Sequence, residues 1–367
     1  MKRITIKTPG KLMVAGEFAV LEKDYPLLVM AVDRYVYATI EDSSVYSFTS
    51  ENFNLHHLTW HFDGKRVIFD DYSPRLKFVT SALATVLTYL REKKVETTPF
   101  SLTVRSELDD EKTGAKYGLG SSAAVVTSVI TAVLEKFLPS RPSRYLIFKL
   151  AAIAHVRTQG SGSGADIAAS TFGGLIYYKS FQANWLKEQL NQSRRLIPVL
   201  QKKWRYLHIK PVKFPSDTTV CIGWTGKPAS TKSLVGEISK LKQTNLPAYE
   251  LFLQESKEAV QRLLESIEAD DRENFFEGIQ QNRKALRALG EAANVPIETE
   301  KLKQLSDAAE RFNGAGKLSG AGGGDCGLAF LQSEDDRPKL YDIWQEHDIT
   351  PLALSLDTKG TVVFYSE

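Results

Sequence analysis

The chain has 367 residues, of which 43% are hydrophobic and 25% charged, and its formal net charge is +3. That length can bury a large core and accommodates two domains, while the near-balance of charge speaks against a general nucleic-acid binder. Two cysteines, Cys221 and Cys326, cannot build a disulfide framework. The basic N-terminus, Met1 to Lys7, lacks the apolar run of a signal peptide, and no stretch approaches the roughly 20 apolar residues of a membrane span. A cytoplasmic protein with no membrane partner is expected.

In chain order, Ile4–Lys7, Leu27–Val32 and Arg34–Glu41 are rich in β-branched and aromatic residues and read as strands. Ser73-Pro74 opens a helix, serine suiting the N-cap and proline the first turn. Phe78, Val79, Ala82, Leu83, Val86, Leu87 and Leu90 then recur at helical spacing, and Phe100–Arg105 alternates like a strand. A charged loop from Ser106 to Lys116 leads to Gly118-Leu119-Gly120-Ser121-Ser122, after which Val126, Val129, Ile130, Val133 and Leu134 mark an apolar helix. Pro139 and Pro142 break it, and a second helix runs from about Ser143 to Arg157. Small residues follow from Gly160 to Asp166, and Leu175–Tyr178 reads as a strand. Residues 181–205 are polar and are expected at a domain junction. Beyond them come a strand at Thr218–Trp224, a loop at Lys227–Thr231 and a helix. Residues 247–312 are mostly helical, interrupted at Pro296, and a glycine run at Gly314–Gly327 precedes strand, helix and strand. The pattern predicts α+β layers in two domains, 1–195 and 196–367.

A helix N-terminus gathers unpaired N–H groups and the positive end of the helix dipole, so a glycine turn placed there attracts phosphate. Gly118–Ser122 reads as such a cradle, with a serine-capped tight turn as the plain structural alternative. Gly118, Gly120 and Ala123 also satisfy the loose dinucleotide-binding pattern, but a charged loop precedes them where that pattern needs a buried strand. The Walker spacing is absent, since no Gly-Lys pair is followed by Ser or Thr at the right distance. The run Leu318–Gly327 leads straight into Leu328-Ala329-Phe330-Leu331, which fits a packed segment better than a flexible loop. Gly160–Gly164 stays open between linker and site, with Asp166 favouring a site. His57 and His61 are four apart in a segment that looks like strand or turn, not the helix a zinc pair needs.

Taken together these segments resemble the GHMP kinases, the superfamily of galacto-, homoserine, mevalonate and phosphomevalonate kinases. Lys7–Leu21 is similar to the first motif of that superfamily, Gly118–Val125 to the phosphate-binding second motif, and Ser319–Gly327 to the third. Gly16-Glu17-Phe18 and the pair Asp325-Cys326 are most similar to the phosphomevalonate kinase branch, in which tyrosine is more common than Phe18. The resemblance implies an N-terminal ribosomal-S5-domain-2-like domain and a C-terminal ferredoxin-like GHMP kinase domain, with the site between them. It implies ATP-dependent phosphorylation of 5-phosphomevalonate to 5-diphosphomevalonate with Mg2+, by a monomer or homodimer. Mevalonate kinase, another GHMP small-molecule kinase and, remotely, a non-catalytic sensor on the same fold are the alternatives.

Phosphoryl transfer between two anions calls for positioning and positive charge. Lys11 and Lys116 are expected to supply that charge. Lys116, Gly118, Leu119, Gly120, Ser121, Ser122 and Ala123 are expected to hold ATP, and by the resemblance Ser122 is a magnesium ligand. Asp166 occupies the position of the aspartate often taken as a base in related kinases. A phosphate monoester is already largely a dianion at neutral pH, so orienting Lys11 or holding magnesium suits Asp166 better. Lys11, Glu17, Ser163, Ser230, Thr231, Gly320, Ala321 and Gly322 are expected at the acceptor substrate, with Ser230 equally suited to capping the helix that follows. Cys326 reads as a small buried residue.

Overall fold

The computed structural model describes residues 3–71, 73–110, 114–229 and 231–366. Its strands are β1 (Arg3–Ala15), β2 (Pro26–Asp42), β3 (Ser47–Ser50), β4 (Leu55–Phe62), β5 (Val67–Phe69), β6 (Phe100–Ser106), β7 (Leu175–Lys179), β8 (His208–Val212), β9 (Thr219–Trp224), β10 (Ala315–Leu318), β11 (Cys326–Leu331), β12 (Thr350–Leu352) and β13 (Val362–Ser366). Its α-helices are α1 (Lys77–Glu92), α2 (Ser121–Phe137), α3 (Arg144–Gln159), α4 (Ala165–Phe172), α5 (Ala183–Ser193), α6 (Leu196–Gln201), α7 (Thr231–Thr244), α8 (Leu246–Ala269), α9 (Arg272–Ala293), α10 (Glu300–Glu310) and α11 (Arg337–Glu346). The mixed α+β layers expected from the sequence are present as two sheets.

The larger sheet has nine strands among the described residues, in the order β13-β1-β2-β6-β3-β4-β5, with β7 pairing β2 and β8 pairing β7. At 17 residues β2 is long enough for two strands to share one of its edges, β7 along 26–30 and β6 along 36–42. The strands expected at 27–32 and 34–41 are therefore one. The register of β1 against β2 shifts between Pro9 and Gly10, an irregularity that re-aims the strand just before Lys11. Helix α2 lies against β1 and β2, and Val126, Val129, Ile130, Val133 and Leu134 are fully buried. Each such side chain contributes about 1.5–3 kcal/mol relative to leaving it in water. Ser73 accepts a hydrogen bond from the Arg75 N–H at the turn that leads into α1, and Ser143 accepts one from Leu146 N–H at the start of α3.

The smaller sheet, β10-β11-β9-β12, is antiparallel and carries α10 on one face. Helices α8 and α9 pack as a pair, and a second apolar cluster joins Ile238, Leu241, Tyr249, Phe252, Leu286 and Leu289 to Phe18 and Ala19. The expected division at 195/196 falls between α5 and α6. Strands β8 and β13 lie beyond it in sequence and pair within the larger sheet. No helix among the described residues is long and apolar enough to cross a membrane.

Candidate active site

The second motif lies directly on the first. Lys11 N–H donates to the Leu119 carbonyl at 2.9 Å, and Lys11 Nζ donates to the Gly118 carbonyl at 3.2 Å. Gly10 permits this contact, because a methyl group there would lie 2.9 Å from the Leu119 oxygen. Gly120 is the N-cap of α2, in the left-handed region at φ +79°, and the Lys11 stem runs over it, 2.9 Å from where a Cβ would sit. No side chain caps α2, so the alternative of a serine-capped turn does not hold. Ser121 and Ser122 form the first turn, half-buried, with Ala123 N–H bonded to the Gly120 carbonyl. This leaves a glycine turn, two hydroxyls and the positive end of a helix beside a lysine, the elements of an anion site.

Lys116 is exposed just before this turn, bridged through its backbone to Asp109. Burial pushes the Asp109 carboxyl above its ordinary value, with the charge of Lys116 opposing the shift. A third cation, not anticipated from the sequence, is close by: the Arg34 guanidinium lies 4.7 Å from the centre of the Tyr117 ring. Tyr117 in turn meets Trp224 edge-on at 5.0 Å.

The third motif closes on the second from the other side. Ser319 Oγ accepts a hydrogen bond from Met13 N–H at 2.8 Å, tying motif three to motif one. Cys326 Sγ donates to the Tyr117 carbonyl at 3.1 Å, and burial pushes its thiol far above the usual range. A methyl group on Gly118 would lie 2.5 Å from the Asp325 carboxyl carbon. Gly320, at φ +84°, has open space around its missing side chain, whereas Gly322 is pressed against the Ile297 carbonyl and Ala321 packs beside the helical cluster. Gly320 is thus the one of these three that faces free volume. Ser230 lies outside the described residues, and Thr231 opens α7.

Asp166 is in the first turn of α4, behind Gly164 as N-cap. Its Oδ1 accepts from the Ile167 N–H at 2.9 Å, and its Oδ2 stands 3.9 Å from His155 Nε2. His155 is buried on α3 and stacks on Phe78 at 5.3 Å. One turn along α4, Ser170 Oγ donates to the Pro9 carbonyl at 2.8 Å, so the face of α4 that carries Asp166 is turned toward β1. The ammonium of Lys11 bonds to Gly118, while the ion partner of Asp166 is His155. Ser163 precedes α4, its Oγ accepting from Ala165 N–H and its carbonyl from Tyr178 and Ser180 hydroxyls. It shapes the turn into the helix.

Glu17 stands in a different place from the one expected of a substrate ligand. It is 3% exposed, and Lys317 Nζ, itself fully buried, donates to Glu17 Oε1 at 2.5 Å and to the Leu318 carbonyl. Burial pulls the Lys317 amine down, with Glu17 opposing the shift. This pair joins motif one to β10 under the site. Directly after Glu17, Phe18 adopts φ 60°, ψ −50°, and Ala19 N–H closes back on the Glu17 carbonyl at 2.6 Å, a tight and strained γ-turn. The Phe18 ring is buried in the apolar cluster of α7–α9, where a tyrosine hydroxyl is not required for packing.

Comparison with known proteins gives the family and the fold. The family model "GHMP kinases N terminal domain" matches residues 78–174, and "GHMP kinases C terminal" matches 257–349. The phosphomevalonate kinase of a Streptomyces species is 32% identical over 98% of this chain and 98% of its own length. The chain belongs to the GHMP kinases. A mevalonate kinase of Pyrococcus abyssi is 29% identical over 89% of this chain and 88% of its own. The structure of Streptococcus pneumoniae phosphomevalonate kinase in complex with phosphomevalonate and AMPPNP superposes with a TM-score of 0.82, at 28% identity, covering 96% of this chain and 99% of that one. This GHMP kinase therefore has the mixed α+β fold of the family, with N- and C-terminal domains, and is an ATP-dependent small-molecule kinase of mevalonate-pathway type.

Of the residues that matter here, the sequence pointed to Lys11, Lys116, the glycine turn and Asp166. It did not point to His155, Arg34 or Lys317, and Asp325 entered only as part of a family signature. An aspartate directly after three glycines was the available signal for Asp325, which the structure places in the left-handed region at φ +55°.

Proposed function

We propose that this kinase transfers the γ-phosphoryl group of ATP to the phosphate of (R)-5-phosphomevalonate, giving (R)-5-diphosphomevalonate and ADP. The observation that carries the reading is the end-to-end likeness to the Streptomyces phosphomevalonate kinase, at 32% identity over 98% of both chains. The site supports it chemically. An acceptor that is itself a phosphate dianion needs positive charge more than it needs a base, and Lys11, Lys116 and Arg34 gather at the glycine turn.

In this reading Gly118–Ala123 cradle the ATP phosphates on backbone N–H groups, and Lys116 and Lys11 reduce the repulsion between donor and acceptor. Ser122, with no capping duty, and the half-exposed Asp166 carboxylate fit as magnesium ligands. Among the described residues no three His, Cys, Asp or Glu side chains form a metal cage, and Mg2+ ordinarily takes one or two protein ligands together with phosphates and water. The ion would neutralise phosphate charge. His155 and the Ile167 N–H fix the orientation of Asp166. Gly320 gives the third motif room over the phosphates, and Ser163, at the turn into α4, stands on the acceptor side.

Coupled measurement of ADP release decides the acceptor. Phosphomevalonate should drive ADP formation and mevalonate should not; the reverse preference would replace this reading with a mevalonate kinase. That second reading has support in the Pyrococcus abyssi relative.

A further inference from the structure

Asp325 takes no part in the chemistry above, yet it touches two segments, the loop 225–229 and the glycine turn itself. Its N–H donates to the Lys227 carbonyl at 2.8 Å, and its carbonyl accepts from both Thr225 N–H and Thr225 Oγ1 at 3.0 Å. Its Oδ1 accepts from Ala229 N–H at 2.9 Å, so the loop 225–229 is held by this one residue at three points. On its other side the carboxyl group lies against Gly118, filling the space a Cβ would need, within 2.6 Å of that position. Cys326 grips the preceding carbonyl, at Tyr117. Lys11 approaches the same turn from β1 and bonds to Gly118, and Lys116 stands two residues before it. Burial pushes the Asp325 carboxyl up, against the pull of the Ala229 N–H and of the charges on Lys11 and Lys116.

A negative group in this position is of the wrong sign for a site that binds phosphates. We propose that Asp325 is a positioning residue, which clasps the loop 225–229 to the glycine turn and acts as counter-charge to Lys11 and Lys116 until nucleotide phosphates take its place. Like charges repel, so the carboxylate weakens nucleotide binding and favours release of ADP, while its hydrogen bond keeps the loop beside the site. The proposal rests on the glycine turn being the phosphate cradle, and is independent of which acceptor is used.

The test is calorimetric binding of ADP, without acceptor, to the wild type and to Asp325→Asn, Asp325→Ala and Thr225→Val. Asparagine keeps an oxygen for Ala229 N–H and removes the charge. It should bind ADP roughly five- to tenfold more tightly at about 20 mM salt, with the gain shrinking toward nothing near 0.5 M. Alanine should show the same tightening together with a lower thermal midpoint than asparagine, because the clasp is also lost. Thr225→Val loosens the loop without changing charge and should leave ADP affinity within about twofold. Unchanged or weaker ADP binding by Asp325→Asn, or a gain indifferent to salt, would overturn the counter-charge. Alanine and asparagine melting together would overturn the clasp. A wild type that binds ADP but does not phosphorylate phosphomevalonate refutes the proposed acceptor, and the ADP data still decide the role of Asp325.

Discussion

Lys11 and Lys116 bring charge to one glycine turn from two separate elements, a central strand and the loop before α2. Removing either should leave the fold in place and lower turnover by about 10²–10³-fold, the scale of losing a preorganised charge contact at a transition state. Steady-state kinetics of Lys11→Ala and Lys116→Ala check this, and near-normal turnover refutes the assignment of the residue concerned. Asp166→Asn separates roles in another way. If the carboxylate holds magnesium or orients its neighbours, the variant loses turnover across the pH range and demands more Mg2+. A defect confined to the acid limb of the pH profile would restore the role of base. The cysteines make a third case. Burial raises both thiols and leaves each about 1% exposed, so the thiolate that reacts with alkylating agents is scarce in the native state. Mass spectrometry after iodoacetamide treatment at pH 8 should find both unmodified until the protein is unfolded.

At the scale of elements, the site is held by contacts between segments that are far apart in sequence. The buried Glu17–Lys317 pair is one of them, spanning 300 residues. Lys317→Met should cost about 3–5 kcal/mol by stranding the Glu17 charge, whereas Lys317→Met combined with Glu17→Leu should recover most of that loss. Denaturant unfolding measures both, and a single variant as stable as wild type would show the pair to be dispensable. Gly120→Ala should cost about 1–2 kcal/mol from its left-handed backbone alone, and more because the new methyl group meets the Lys11 stem. These contacts also mark where the sequence stops being legible. The helix starts at Ser73 and Ser143, the apolar face of α2 and the glycine turn were readable because each depends on neighbours within a few residues. The strands β3 and β5 were not read, and the segment of β4 between His57 and His61 was read only as strand or turn, since His57 at φ +50° interrupts its alternation. The partnership of His155 with Asp166, and of Asp325 with Gly118, follows from how helices and loops pack; neither side chain announces its partner locally.

At the scale of the whole molecule, the larger sheet gathers strands from both ends of the chain. β8 pairs β7 and β13 pairs β1, so a fragment limited to residues 1–195 would lack both and leave two edges open. Such a fragment should aggregate or unfold without a cooperative transition, which scanning calorimetry would record. A monomeric fragment with a sharp transition would establish 1–195 as a unit able to fold alone.

The pairing of β13 with β1 joins Arg3–Lys7 to Val362–Ser366, two segments separated by more than 350 residues of chain. At typical synthesis rates of about 5–20 residues per second, β1 waits on the order of 20–70 s for that partner. Throughout that interval one hydrogen-bonding edge of the central sheet has no strand to cover it. The exposure is set by translation speed and not by the stability of the finished enzyme, so slower synthesis lengthens the period in which nascent chains are able to find one another before they find themselves.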